Sequence, residues 1–196
     1  MKKLYIFIPL FIIFTLLFSS ITPVIKTSEN ISDKIFRLHI IANSDSEADQ
    51  ILKLRVRDNI LECADSIYKN CNCIQSAVKV SSENLEVFKE AARKTIAFYG
   101  YTYDIKAYVT KDFFGTRKYD GFTLPAGNYN CLKIVIGEGK GRNWWCVMFP
   151  QVCLSGCTDD FDSYFSEEEK ELITSSGYKV RFKVAEIYEK LINRVN

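Results

Sequence analysis

The 196-residue chain predicts an α+β fold: a single domain whose small, largely antiparallel sheet packs against two helices from the amino-terminal half and a carboxyl-terminal helix. Three observations carry that prediction. Apolar residues recur at helical spacing early in the body and again near its end, while the middle alternates with a period of two. Hydrophobic residues make up 47% of the chain and aromatics 14%, enough for a substantial core. No internal repeat or low-complexity tract competes with a globular reading.

Element by element, Met1-Lys2-Lys3 precedes an apolar run from Leu4 to Phe18 and then Ser19-Ser20-Ile21-Thr22-Pro23. A basic start before an apolar stretch is the pattern of a secretory signal. Ile21, Val24 and Ile25 extend it toward the roughly 20 residues of a membrane span, so an anchor over residues 4–25 is the alternative. Lys2 and Lys3 stay on the cytoplasmic side in either case. Residues 1–29 therefore read as signal peptide or anchor with a short tether, the polar stretch running on to residue 34. Residues 30–196 read as an exported, extracytoplasmic domain.

Ile35 to Ile41 alternates and is rich in branched residues, as a strand would be. Ser44 or Ser46 then caps a helix, with Glu47 and Asp49 near its positive end. That helix runs to about Tyr68 with Ile51, Leu54, Ile60, Leu61 and Ala64 as its apolar positions. A second begins at Ser81-Ser82-Glu83, buries Leu85, Phe88, Ala92 and Ile96, and stops at Gly100. Tyr101 to Thr110 alternates as a strand, and residues 113–122 form an aromatic loop. Leu124 to Gly127 is a tight turn. Tyr129–Ile136 and Trp144–Phe149 read as two strands of a hairpin with an over-long glycine loop. Ser166 before Glu167-Glu168-Glu169 starts another helix, and Val184–Val195 is the closing one.

A net charge of +2 leaves no basic footprint of the size nucleic-acid binding needs. The seven cysteines fit an exported protein better than a zinc site, because Cys71-x-Cys73 and Cys153-x-x-x-Cys157 with one distant histidine make a poor ligand set. No metal or cofactor is expected. Asn43-Ser44-Asp45-Ser46 with Glu47 and Asp49 lacks the spaced ligands and glycine of a calcium loop; helix capping accounts for it.

The densest signal is Gly137-Glu138-Gly139-Lys140-Gly141-Arg142-Asn143-Trp144-Trp145-Cys146-Val147-Met148-Phe149-Pro150, which holds both tryptophans. Adjacent tryptophans point to opposite faces of a strand, so at least one is buried or placed for contact. The three glycines lead into a strand rather than a helix, which favours a turn with positive backbone angles over a phosphate loop. Cys146 and His39 could supply a thiol nucleophile and its base, oriented by Asn143 or Asp45. Against that stands Cys146 paired with Cys153 or buried beside Trp144, and His39 satisfied within its strand. The face bearing Lys53, Arg55, Arg57 and Asp58 reads as internally paired or as a docking surface.

Arg37-Leu38-His39-Ile40-Ile41-Ala42-Asn43-Ser44-Asp45-Ser46 with Asp49-Gln50, Leu52 to Asp58, Leu124-Pro125-Ala126-Gly127-x-Tyr129 and above all Ile136 to Pro150 resemble the stage II sporulation protein R family. The resemblance covers roughly residues 35–155. The family usually continues with a second proline and a leucine before the cysteine, where this chain has Gln151-Val152-Cys153, and Cys71, Cys73 and Cys157 lie outside its pattern. The resemblance implies a non-enzymatic signal made in the forespore and exported into the space between forespore and mother-cell membranes. There it would trigger a membrane-embedded aspartic protease of the mother-cell membrane, of the stage II sporulation protein GA type, which processes the pro-form of sigma-E. The partner-binding candidates are Arg142, Asn143, Trp144, Trp145, Arg37, His39, Asn43, Asp45 and Arg57. An exported Cys-His hydrolase acting on peptide or cell-wall bonds is the alternative, and peptidoglycan binding through the aromatic strand a third.

Overall fold

The computed structural model of the chain describes residue 11 and residues 23–119, 121–150 and 164–174. Most of the expected leader, Cys153, Cys157 and the expected closing helix Val184–Val195 lie outside those residues. Compact packing divides the chain into two units interleaved in sequence: residues 1–32, 113–127 and 166–196 belong to one, residues 33–112 and 128–165 to the other.

The larger unit is built on a four-stranded sheet. Its strands are β1 (Phe36–Ile41), β2 (Ile105–Phe114, whose last two residues fall in the other unit), β5 (Gly127–Ile136) and β6 (Asn143–Phe149), in the order β2-β5-β1-β6. The α+β class stands, and the sheet is mixed: β1 runs parallel to β5 and antiparallel to β6. The expected hairpin is therefore corrected. β5 and β6 do not pair with each other; β1 lies between them, and the glycine loop crosses the end of β1 instead of folding two neighbours together. Alternation identifies a strand without naming its partner, and a short loop between two strands made the hairpin the default.

Three helices carry the apolar counter-surface. Helix α1 covers residues 23–34, where a polar tether was expected; Ile31 is buried there and Ser32 Oγ donates to the Glu29 carbonyl. Helix α2 (Glu47–Tyr68) starts at Ser46, whose Oγ accepts from the Asp49 N–H. Its buried stripe is Leu52, Val56, Ile60, Ala64 and Tyr68, so the expected Ile60 and Ala64 hold while Ile51 is 45% exposed. Helix α3 (Ile74–Glu83) fills a stretch without an expected element. Helix α4 (Leu85–Phe98) buries Phe88, Ala92 and Ile96 as its spacing foretold. It ends at Gly100, whose φ of +78° allows the Tyr101 N–H to reach back to the Ile96 carbonyl at 3.0 Å.

Strand register sorts the side chains. Leu38 and Ile40 stand opposite Leu132 and Ile134 of β5 and opposite Cys146 and Trp144 of β6. These residues meet α2 and α4 in one apolar cluster. The alternate residues Arg37 and His39, opposite Cys131 and Lys133 on one side and Val147 and Trp145 on the other, form the second face.

In the smaller unit β3 (Arg117–Lys118) pairs antiparallel with β4 (Thr123–Leu124). The stretch expected as an aromatic loop is thus a small hairpin, closed by Tyr119 stacked on Phe122. Helix α5 (Glu167–Thr174) packs against β4, and Ser166 caps it as expected, with Ser166 and Glu169 exchanging backbone-to-side-chain bonds.

Candidate functional site

Where β1 ends, the chain leaves through Ala42–Ser46 into α2, and the loop 137–142 passes directly over that exit. The loop's backbone donors are all spent on protein acceptors. Gly137 N–H donates to the Asp104 carbonyl, Gly139 to Ile136, Lys140 to Asn43 and Gly141 to Ala42, at 2.8–3.1 Å. Glu138 N–H donates to Asn43 Oδ1 at 3.0 Å and Arg142 N–H to Asp45 Oδ1 at 2.7 Å. A phosphate cradle needs those groups free; here the loop is a clasp.

The glycines follow from this closeness. Gly137 and Gly139 have positive φ, and a Cβ on Gly141 would collide with the Ser44 backbone carbonyl. Below the clasp, Asp49 Oδ2 accepts from Asn43 Nδ2 at 2.9 Å and from Ser44 Oγ at 2.6 Å. Burial pushes the Asp49 carboxyl up, but hydrogen bonds from Ser44, Asn43, Tyr103 and Ser46 outweigh it and hold the group below its ordinary range. One turn on, Lys53 is 4% exposed and donates to Gln50 Oε1 at 2.6 Å and to the Arg142 carbonyl at 3.0 Å. Burial and then the Arg142 charge lower its ammonium pKa, with Asp45 partly opposing. Lys53, expected on the solvated face of α2, is thus an inward latch on the glycine loop. Asp49, Gln50 and Lys53 share one helical turn behind a capping serine, and that spacing is the signal that could have revealed them.

Outward, the clasp presents its charges: Lys140 and Arg142 side chains are 75% and 76% exposed. The two tryptophans leave it on opposite faces, as strand alternation requires. Trp144 lies against the helix-covered core with the Arg57 guanidinium 4.5 Å from its ring centroid. Trp145 lies on the second face, 5.8 Å from the His39 ring.

That second face carries a polar chain. His39 Nδ1 is 2.8 Å from Asp112 Oδ2, and its Nε2 is 3.0 Å from Asn143 Oδ1. Lys133 Nζ donates to the same Asp112 oxygen at 2.8 Å. Burial raises the Asp112 pKa, but hydrogen bonds from Lys133 and His39, reinforced by their charges, bring it below the ordinary carboxylate value. Asp112 and Lys133 were not foreseen, because they stand on strands whose neighbours the sequence does not name. Arg37 is fully buried, its guanidinium 4.8 Å from the Tyr129 ring centroid, so it acts from inside the fold.

The structure thus joins Asn43, Asp45, Arg142 and Asn143 at one corner, pairs Arg57 with Trp144, pairs His39 with Trp145, and leaves Arg37 apart. It does not join Cys146 to His39. Cys146 stands opposite Leu38, one residue out of phase with His39, and so points to the other face of the sheet. It is also disulfide-bonded, with its partner outside the described residues, where the expected Cys153 falls. Neither fact suits a thiol nucleophile. Cys131, on the polar face, is buried, and that burial pushes its thiol up to about 12. Among the described residues no group of acidic, histidine and cysteine side chains could hold a metal ion. Nor is any described helix long and apolar enough to cross a membrane.

The family model described as stage II sporulation protein R matches residues 32–159. Stage II sporulation protein R of Bacillus subtilis (strain 168) is 34% identical over 169 residues, covering 84% of this chain and 75% of that relative. No solved structure matches the chain significantly.

Proposed function

The chain belongs to the stage II sporulation protein R family, and from that premise we propose that it is an exported sporulation signal that works by binding rather than by catalysis. Its partner in this reading is a membrane-embedded aspartic protease of the mother-cell membrane, of the stage II sporulation protein GA type, and the output is processing of pro-sigma-E. The signal acts in the space between the forespore and mother-cell membranes. The observation that carries the reading is the clasp: a loop with every backbone donor engaged, holding Lys140 and Arg142 rigidly in solvent beside two half-buried tryptophans. A preformed surface loses little entropy on binding, and arginine and tryptophan are the common anchors of such contacts. To activate, the signal must bind the working state of the protease more tightly than the resting one.

The test is reconstitution of membranes holding the protease and its substrate with the full chain, as wild type, Arg142→Ala and Cys146→Ala. Loss of processing with Arg142→Ala, its unfolding midpoint unchanged, supports docking through the clasp. Unchanged processing moves the docking face elsewhere. If Cys146→Ala stays folded yet inactive, sulfur chemistry replaces binding as the explanation.

A further inference from the structure

On the side of α2 and α4 that faces away from the sheet, the two helices leave a seam that the proposed signalling role does not use. They run antiparallel, so the start of α2 lies by the end of α4. Three depressions follow one another along the seam. The first, about 260 Å³, is lined by Ile51, Arg55 and Tyr99 among others. The second, about 470 Å³, shares Arg55 and Tyr99 and continues to Asn59, Lys94 and Phe98. The third, about 500 Å³, shares Asn59 and Lys94 and reaches Cys63, Val87 and Glu90. Large apolar side chains stand open along it: Phe98 is 81% exposed, Val87 49%, Ile51 45% and Tyr99 40%. Scattered exposed apolar residues need no explanation, but a row of them flanking one groove does.

The charges on this seam are segregated. Arg55 stands at one end, its guanidinium 3.8 Å from the Tyr99 ring centroid. Glu62, Glu86 and Glu90 line the other end. Asp58 and Lys94, of opposite sign, lie between them on facing helices. From Arg55 to Cys63 is about 12 Å along the helix axis. A two-fold axis through the middle, near Asn59, would exchange the ends. It would set the Arg55 of each copy against Glu90 of the other and Asp58 against Lys94. It would also seat each Phe98 over the shallow apolar end formed by Val87 and Cys63. A self-complementary patch of this kind is what an isologous interface requires. A foreign helix would need to reproduce that alternation of charge by its own sequence, whereas a second copy already carries it.

We propose that this chain pairs with a second copy of itself through the α2–α4 seam, making a two-fold layer of four helices, with Phe98 as the apolar anchor and Arg55 against Glu90 setting the register. The clasp at the end of β1 is no part of this contact, so dimerisation and signalling are separable.

Sedimentation velocity on the full-length chain in mild detergent, across a dilution series, reads the dimer dissociation constant directly. Phe98→Asp weakens the dimer by at least about tenfold, the range of a lost anchor. Arg55→Glu does so by a similar factor, because like charges then face each other. Arg55→Glu combined with Glu90→Arg restores association, since the pair is rebuilt with its signs exchanged. All three positions are exposed, so each variant keeps the wild-type unfolding midpoint within about 0.5 kcal/mol. A chain that stays monomeric at every concentration overturns the proposal. So does a dimer indifferent to Phe98→Asp, which would belong to the leader or another surface, and so does failure of the paired reversal to rescue. Processing of pro-sigma-E by the Phe98→Asp monomer is read alongside. Its loss or retention bears on whether pairing serves the signal and leaves the dimer measurement standing.

Discussion

The two faces of the four-stranded sheet are made from alternate residues of the same strands, and they hold the molecule together by different physics. On the helix-covered face Leu38, Ile40, Leu132, Ile134 and Met148 are buried in one apolar cluster with α2 and α4. That attraction is non-directional and scales with the area removed from water. The other face carries Arg37, His39, Asp112, Lys133 and Trp145, joined by hydrogen bonds and ring contacts whose value depends on geometry. Trp144 and Trp145 show the division at its sharpest, since one peptide bond separates a ring lying against the core from a ring lying beside a polar chain. Substitutions on the first face should report stability. On the second they should report the precision with which β6 and the clasp above it are held.

The largest effect expected from this contrast is at Leu38. It is fully buried, and Leu38→Ala should cost about 2–5 kcal/mol in urea unfolding. His39→Ala, the next residue, should cost about 1–3 kcal/mol, the scale of leaving Asp112 and Asn143 short of a partner. Equal losses at the two positions would erase the distinction between the faces.

Gly141→Ala comes next and probes the clasp itself. The added methyl meets the Ser44 backbone carbonyl, which cannot swing aside as a side chain end would. A loss of about 1–3 kcal/mol, the usual range for overpacking, is expected. Gly115→Ala is the control, because nothing lies within 4 Å of a Cβ there. A neutral Gly141→Ala would mean that the loop can lift off the end of β1 without penalty.

These positions also show what could be read from the sequence. The α+β class, the cap at Ser46, the stop at Gly100 and the opposed tryptophans all follow from local rules of spacing and backbone angle. The mistaken features depend on partners distant in sequence. Ile51 was set inside and Lys53 outside on α2 because the helix offers two competing apolar stripes, and only contact with the sheet and the clasp decides between them. The hairpin failed for a related reason: β1, some 90 residues earlier in the chain, takes the place between β5 and β6. The polar chain on the second face needs β2, β5, β1 and β6 side by side before Asp112 can meet His39.

Acid should discriminate the faces with a smaller signal. Asp112 has a folded-state pKa below that of the unfolded chain, so its contribution is complete above the unfolded value of about 3.9 and is lost as pH falls through the folded one. Asp49 behaves alike in the clasp. Unfolding midpoints measured from pH 6 down to 2.5 should therefore fall below about pH 4 in the wild type. Asp112→Asn should start lower at pH 6 and fall less steeply, whereas Leu38→Ala should shift the whole curve without changing its shape. A wild-type curve flat down to pH 3 would mean that the carboxylates on the polar side contribute no net stability.

The smallest effect is expected where the two physical regimes meet, at Arg57 over Trp144. The guanidinium is partly exposed, 21% by side chain, and also paired with Asp58. A cation over an indole in such a place contributes about 0.5–1 kcal/mol, and an exposed ion pair adds little. Arg57→Ala should therefore lower stability by no more than about 1 kcal/mol, while Arg57→Lys, which keeps charge and loses the flat stacking surface, should fall between it and wild type. If Arg57→Ala instead cost as much as Leu38→Ala, the arginine would be covering core that opens to water without it. Trp144 would then have to be counted with the buried apolar face, and the clasp would be left with Trp145 as its one ring available to a partner.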